Sequence, residues 1–485
     1  MLAGYCWPQS VDPLEKVTLY CHSDDPRVHV EVIRQGADDR VVFAQSGVAI
    51  VAQPRPEDVS VSGCDWPGCI EFEVDPDWSS GFYLVRMSDE HDRRAEAYFV
   101  VRSTQPLDAM LVLATSTWTA YNDWGGPSFY TGGNTSSLVR PLPRGFLHKR
   151  EPDRFRIARY QDWSPADVEA FNVARYSPWC MAAGWANWEF LFVRWAEAQG
   201  LRLGYATSSD LDGDADLLQG YPAYVSVGHD EYWSAGMRDN VEAFVEHGGN
   251  AAFFSGNTAF WQARFENDHT QLVCYKNAIE DDPQYHREHA PNLATMWSDP
   301  LVGRPENTMT GVSFTRGGYA HMPNAPRGTG GYRVRQPGHW AFADLNLTVD
   351  DDLGVGGIVV AYECDGCELV ETNDALLATG EDGTPAEFEV LATAPARLWE
   401  THEASDGLHE SYVGELNWVA ERIGGGDTPE NRALFEQGHA VMGSFRKGRG
   451  QVFTTGCTDW AYGLTQPDVA TVTKNVLQRF VQSND

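Results

Sequence analysis

Basic residues are scarce in this chain: 36 Lys and Arg stand against 69 Asp and Glu in 485 residues, a formal net charge of −33. A surface of that sign repels nucleic acid and anionic membranes, which excludes both as partners. The plain reading is a solvated acidic surface, and adaptation to high salt would look the same. Long hydrophobic runs are absent as well. Nowhere do about 18 apolar residues follow one another, and residues 1–13 lack the basic-then-apolar order of a secretory leader, so no membrane span is expected and a cytoplasmic enzyme is the default. Cysteine is sparse and odd in number, nine in all, which suits a reducing compartment better than a disulfide framework. The one CxxC, Cys364-Asp-Gly-Cys367, lacks the second pair or neighbouring His that a zinc site needs, and reads as two loop cysteines. Internal repeats and low-complexity tracts are also missing.

What is present is chain enough for two or three units, each with its own core. From Val17 to about Arg102, short apolar runs such as Val28-His-Val-Glu-Val32 and Gly81-Phe-Tyr-Leu-Val-Arg86 alternate with turn clusters, which predicts an Ig-like β-sandwich over residues 1–105. Met110-Leu-Val-Leu-Ala114 is the continuous apolar run of a strand buried on both faces and opens a second domain, 106–485. Trp188, Leu191, Phe192, Trp195 and Ala198 share one helical stripe with Gly200 as C-cap, and a strand follows over 201–206. A strand over 223–228, a helix over 234–247 and a strand over 251–255 then indicate βαβ units and a parallel sheet. Between about 280 and 425 the helical period fades, and β-type runs such as Leu353 to Tyr362 predict a β-rich insertion. The α/β pattern resumes with Gln451-Val-Phe-Thr454 and a terminal helix over 467–481.

Ligands of open parallel sheets bind beyond the carboxyl ends of the strands, and three such ends carry unusual residues. They are Thr117-Trp-Thr-Ala-Tyr121-Asn-Asp-Trp-Gly-Gly126-Pro-Ser-Phe-Tyr130, Gly228-His229-Asp230-Glu231-Tyr232-Trp233-Ser234, and Ser255-Gly256-Asn257-Thr258-Ala-Phe-Trp261. His229 and Glu231 are two apart, so continued extended geometry points an imidazole and a carboxylate the same way. The competing reading makes Ser234 or Asp230 a helix cap and the rest solvated loop. Tyr121 and Tyr130, taken singly, read as packing in a chain with 19 tyrosines. The strand-to-helix turn offers no Ser or Cys nucleophile, which disfavours an acyl-enzyme and leaves a metal-activated water as the route to a nucleophile at neutral pH. Asp210-Leu-Asp212-Gly-Asp214-Ala-Asp216 has Tyr221 where a calcium loop needs a bidentate Glu, and reads as an acidic loop entering a short helix.

Taken together, these stretches resemble the C-terminal catalytic domain of the large (β) subunit of N,N-dimethylformamidase and its relatives. Cys-Tyr-Lys276, Tyr-Glu363-Cys-Asp and Gly-Cys-Thr-Asp-Trp-Ala-Tyr-Gly-Leu464 extend the match in the same order, from about residue 105 to 482. The resemblance implies an α/β domain similar to glutamine amidotransferases that holds one ferric ion through Tyr121, Tyr130 and Glu231. It also implies that His229 and Asn257 orient water and the amide oxygen. Lys276 and Glu363 would support them, with Glu363 carrying a proton to the leaving amine and Glu368 as the alternative for that position. The implied reaction is hydrolysis of the C–N bond of a small N-substituted amide or formamide. The implied partners are that amide, further copies of the chain, and the formamidase's small subunit, which this chain does not contain. A lactam, lactone or hydrazide bond would suit the same chemistry, and 17 Trp beside a β-sandwich would also suit a carbohydrate-binding protein. The chain departs from the formamidase in its shorter Tyr121 to Tyr130 interval, its Cys364-Asp-Gly-Cys367 and the character of its N-terminal sandwich.

Overall fold

In the strand Lys16–Ser23 the side chains of Val17, Leu19 and Cys21 are buried, while those between them are partly exposed. This two-residue period builds the N-terminal sheets of the computed structural model, which describes residues 1–286, 290–372, 375–403 and 414–482. A three-stranded antiparallel sheet (Leu2–Trp7, Lys16–Ser23, Gly68–Glu73) and a five-stranded one (Ser10–Val11, Arg94–Val101, Gly81–Asp89, Arg27–Gln35, Arg40–Ala49) contribute to one core, which includes Val17, Leu19, Val30, Val32, Val85 and Phe99. Burying each such side chain contributes about 1.5–3 kcal/mol.

These sheets belong to the first of two compact units, Met1–Phe155, Trp163–Tyr221 and Phe265–Val273. The same unit holds the parallel strands Ala109–Leu113 and Leu203–Thr207, registered Leu111 to Tyr205, and the helix Glu189–Ala198. Glu197 on that helix accepts two N–H groups of Arg34 at 2.6 Å each and the Tyr205 hydroxyl at 2.7 Å. A bidentate pair this well buried fixes orientation as well as charge. Phe82 is fully buried and lies flat on Trp185, with ring centroids 4.0 Å apart. Phe82→Ala removes that ring from a packed site and is expected to cost about 3–5 kcal/mol, measurable by denaturant unfolding. An unchanged midpoint would show that the ring contributes little.

The second unit comprises Arg156–Asp162, Pro222–Arg264 and Cys274–Asp485. Ala223–His229, Asn250–Gly256 and Gly450–Thr454 are parallel neighbours, and Gly438–Lys447, Glu389–Ala396, Tyr332–Val334 and Asp352–Leu353 extend the sheet antiparallel. Segment 280–425 thus adds strands to this sheet. The helix Ala235–Glu246 joins the first two strands, with Ser234 Oγ accepting from Met237 N at 3.1 Å as its cap. The terminal helix Pro467–Gln482 buries one stripe, Val469, Val472, Val476, Leu477 and Phe480. No helix among the described residues is long and apolar enough to cross a membrane, and all nine cysteines are free thiols.

Three local expectations change. The run from Leu353 to Tyr362 is not one strand: Gly354 turns with φ +78, Val355–Gly357 forms a 3-10 turn, and the chain becomes extended again at Tyr362–Gly366. A positive φ at a glycine costs little and ends the strand there. Cys364 lies on that last strand rather than in a loop, while Cys367 is buried in the short loop that follows. Asp210 does not precede a helix but sits inside one, Ser208–Gly213. It forms a capping box with Thr207, and Arg102 donates to it at 2.9 Å.

Candidate active site

Parallel pairing sets His229 opposite Gly256 at the carboxyl ends of neighbouring strands. A Cβ on Gly256 would lie 2.5 Å from Thr458 N and 2.7 Å from Glu363 O, so this position admits only glycine and lets the strand bearing Glu363 come close. Beyond it Asn257 turns with φ +48. His229 Nε2 lies 2.6 Å from Glu363 Oε2 and 3.3 Å from Glu231 Oε2. Asn257 Nδ2 donates to the same Glu363 oxygen at 2.9 Å and is 3.4 Å from His229 Nε2. Tyr362 stands edge-on to the imidazole at 5.3 Å. A ring nitrogen this close to a carboxylate oxygen carries the proton and donates it.

Extended geometry at 229–231 also accounts for Asp230, which points the other way and accepts from the Ser226 hydroxyl at 2.7 Å. Burial pushes its carboxyl up to about 6. Asp365 Oδ2 accepts from Thr258 N at 3.0 Å, which ties down the turn after Asn257, and burial pushes this carboxyl up to about 8. Lys276 is buried with Nζ 5.2 Å from the centre of the Trp261 ring. Burial lowers its pKa, against the attraction of Glu231, Glu363 and Glu415.

In the first unit, Tyr121 closes the helix Thr115–Ala120, and Phe129 N donates to Ala120 O at 3.0 Å, which folds the next nine residues back. Tyr130 therefore stacks on Tyr121 with centroids 4.3 Å apart, and Trp179 packs against both at 5.7 and 5.4 Å. Both phenols are buried. The short interval between them thus brings the two rings together within this unit.

The profile of the family described as "N,N-dimethylformamidase beta subunit-like, C-terminal" matches residues 28–474, which takes in parts of both units. The chain belongs to that family. Among curated proteins none matches it. Of solved structures, one of murine CEACAM1b is similar over 23% of this chain and 63% of its own, with 17% identity and a TM-score of 0.12.

In this member of the dimethylformamidase β-subunit-like family, the structure brings His229, Glu231, Asn257 and Glu363 together within the second unit, with Lys276 buried in the same unit. Tyr121 and Tyr130 meet within the first. Glu363 is the residue that meets His229, whereas Glu368 pairs with Arg316 at 2.7 Å. Sequence reasoning missed Trp179, Tyr319 and Glu415. Tyr319 is the cross-strand partner of Glu363 and donates to Glu415 Oε1 at 2.9 Å. Glu415 left a trace in the sequence: it is a charged residue on the helical face of Leu416, Trp418 and Val419, where a core position is expected.

Proposed function

We propose that the protein is an iron-dependent hydrolase that cleaves the C–N bond of a small N-substituted amide or formamide. The observation that carries this reading is the buried His229–Glu363 contact of 2.6 Å at the strand ends, with Glu231 and Asn257 beside it, in a dimethylformamidase-like chain. Enzyme sites of open sheets lie at such strand ends. The glutamine-amidotransferase-like character of the α/β part, a cytoplasmic location, and assembly as a homo-oligomer that also takes a small subunit belong to the same proposal.

Tyr121, Tyr130 and Glu231 fit a ferric ion by donor chemistry. Each offers a hard oxygen, each is buried, and two phenolates with one carboxylate would balance the charge of the ion. Bound there, iron would supply Lewis acidity to the amide carbonyl and make a water more acidic. The remaining work falls to side chains of the second unit. The N–H groups of His229 and Asn257 are suited to orient the amide oxygen and the attacking water. Glu363, gripped by both, takes up the proton that the attacking water releases and passes it to the amine nitrogen as the C–N bond breaks. Water gives its hydroxyl to the acyl carbon and its proton to the site, so the products are a carboxylic acid and an amine. Lys276 offsets the carboxylates electrostatically.

Purified protein is expected to carry about one iron per chain and a visible phenolate-to-iron absorption band. Elemental analysis and a spectrum check this. A colourless, iron-free preparation that is folded and hydrolyses amides would overturn the iron assignment. Amides assayed beside lactams, lactones and hydrazides would identify the scissile bond.

A further inference from the structure

Glu415 is the first residue of the helix Glu415–Arg422, and it is only 9% exposed. Its Oε1 accepts from the Tyr319 hydroxyl at 2.9 Å, while Oε2 meets no partner among the described residues. Tyr319 pairs across the antiparallel ladder with Glu363, so the two side chains leave the same face of Ser313–Ala320 and Tyr362–Gly366. Burying a carboxylate with one oxygen left without a partner is costly, and an acid in that position keeps its proton instead.

We propose that Glu415 is a further positioning residue of the hydrolase site, acting through Tyr319 on Glu363 and Lys276, and that turnover requires it uncharged. The inference rests on the hydrolase reading above. Burial holds the Glu415 carboxyl at about 8, with the Glu363 charge also raising it, against its own backbone N–H, the Tyr319 hydrogen bond and the Lys276 charge. While it is neutral, Glu363 and Glu231 are the carboxylates balanced by Lys276. Once ionised, it adds a third buried negative charge, which opposes Glu363 and competes for Lys276 at low dielectric. Of the charged groups on elements packed against this helix, Arg316 pairs with Glu368, Glu403 with Arg397, His402 with Glu400 and Arg432 with Asp427, while Glu430 is exposed.

The test is the pH profile of kcat for the iron-loaded enzyme on an amide, for wild type, Glu415→Gln and Tyr319→Phe. Wild type is expected to lose turnover about tenfold per pH unit above roughly pH 8, as for a single essential acid. Glu415→Gln should lack that alkaline limb, and Tyr319→Phe, which removes a bond favouring the ionised form, should move it upward. Thermal unfolding reads the same group without turnover. A carboxyl with a raised folded pKa weakens the fold as pH rises from the ordinary carboxylate range to about 8. The Tm of wild type should therefore fall relative to Glu415→Gln between pH 5 and pH 8. An alkaline limb that stays in place in both variants, or a Tm difference that does not vary with pH, overturns the role of Glu415 and leaves the hydrolase reading intact. A wild type that turns over no carbonyl substrate overturns both.

Discussion

Glu231→Ala is expected to fold, to retain no iron and to hydrolyse amide more than about a thousandfold more slowly than wild type, since it deletes the only carboxylate among the three proposed ligands. Folding should survive because the imidazole of His229 keeps its shorter contact, 2.6 Å to Glu363, when the 3.3 Å contact to Glu231 is gone. The exposed-charge balance is also unaffected, for Glu231 is buried. Circular dichroism, elemental analysis and turnover should be measured on one preparation. Iron content equal to wild type would remove Glu231 from the ligand set, even if turnover fell.

The sites legible in the sequence were those written in short-range geometry. The spacing of two between His229 and Glu231 needed only an extended backbone, and the structure shows the two side chains on one side with Asp230 on the other. The strands around 109–113, 223–229 and 250–256 announced themselves as continuous apolar runs because both of their faces are covered. Long-range partners were not legible. Glu363 reaches His229 because strand Tyr362–Gly366 pairs with Ser313–Ala320 and passes close to Gly256, and no local pattern encodes that approach. Its assignment rests on resemblance, with Glu368, five residues on, paired with Arg316 instead of His229. Trp179 is 49 residues beyond Tyr130 and joins the tyrosines only through the fold of the first unit. Between Leu353 and Tyr362 the apolar residues argued for a strand, but conformational freedom at Gly354 outweighed them.

Glu363→Gln separates proton delivery from metal retention. The amide side chain keeps the shape of the carboxyl and an oxygen that accepts from His229 and Asn257, so the fold and the iron content are expected to match wild type. It cannot carry a proton to nitrogen, and loss of a positioned general acid costs about 10²- to 10⁴-fold in turnover. The penalty must depend on the leaving group. An alkylamine is expelled only once protonated, whereas a weakly basic arylamine needs far less assistance. Glu363→Gln should therefore lose most on N,N-dialkyl amides and least on anilides activated by electron-withdrawing groups. A loss of equal size on both would mean that Glu363 orients His229 and delivers no proton, and the acid would have to be sought elsewhere. With iron expected to be retained in this variant and lost in Glu231→Ala, the pair distinguishes a ligand from a proton carrier even though both residues touch the same imidazole nitrogen.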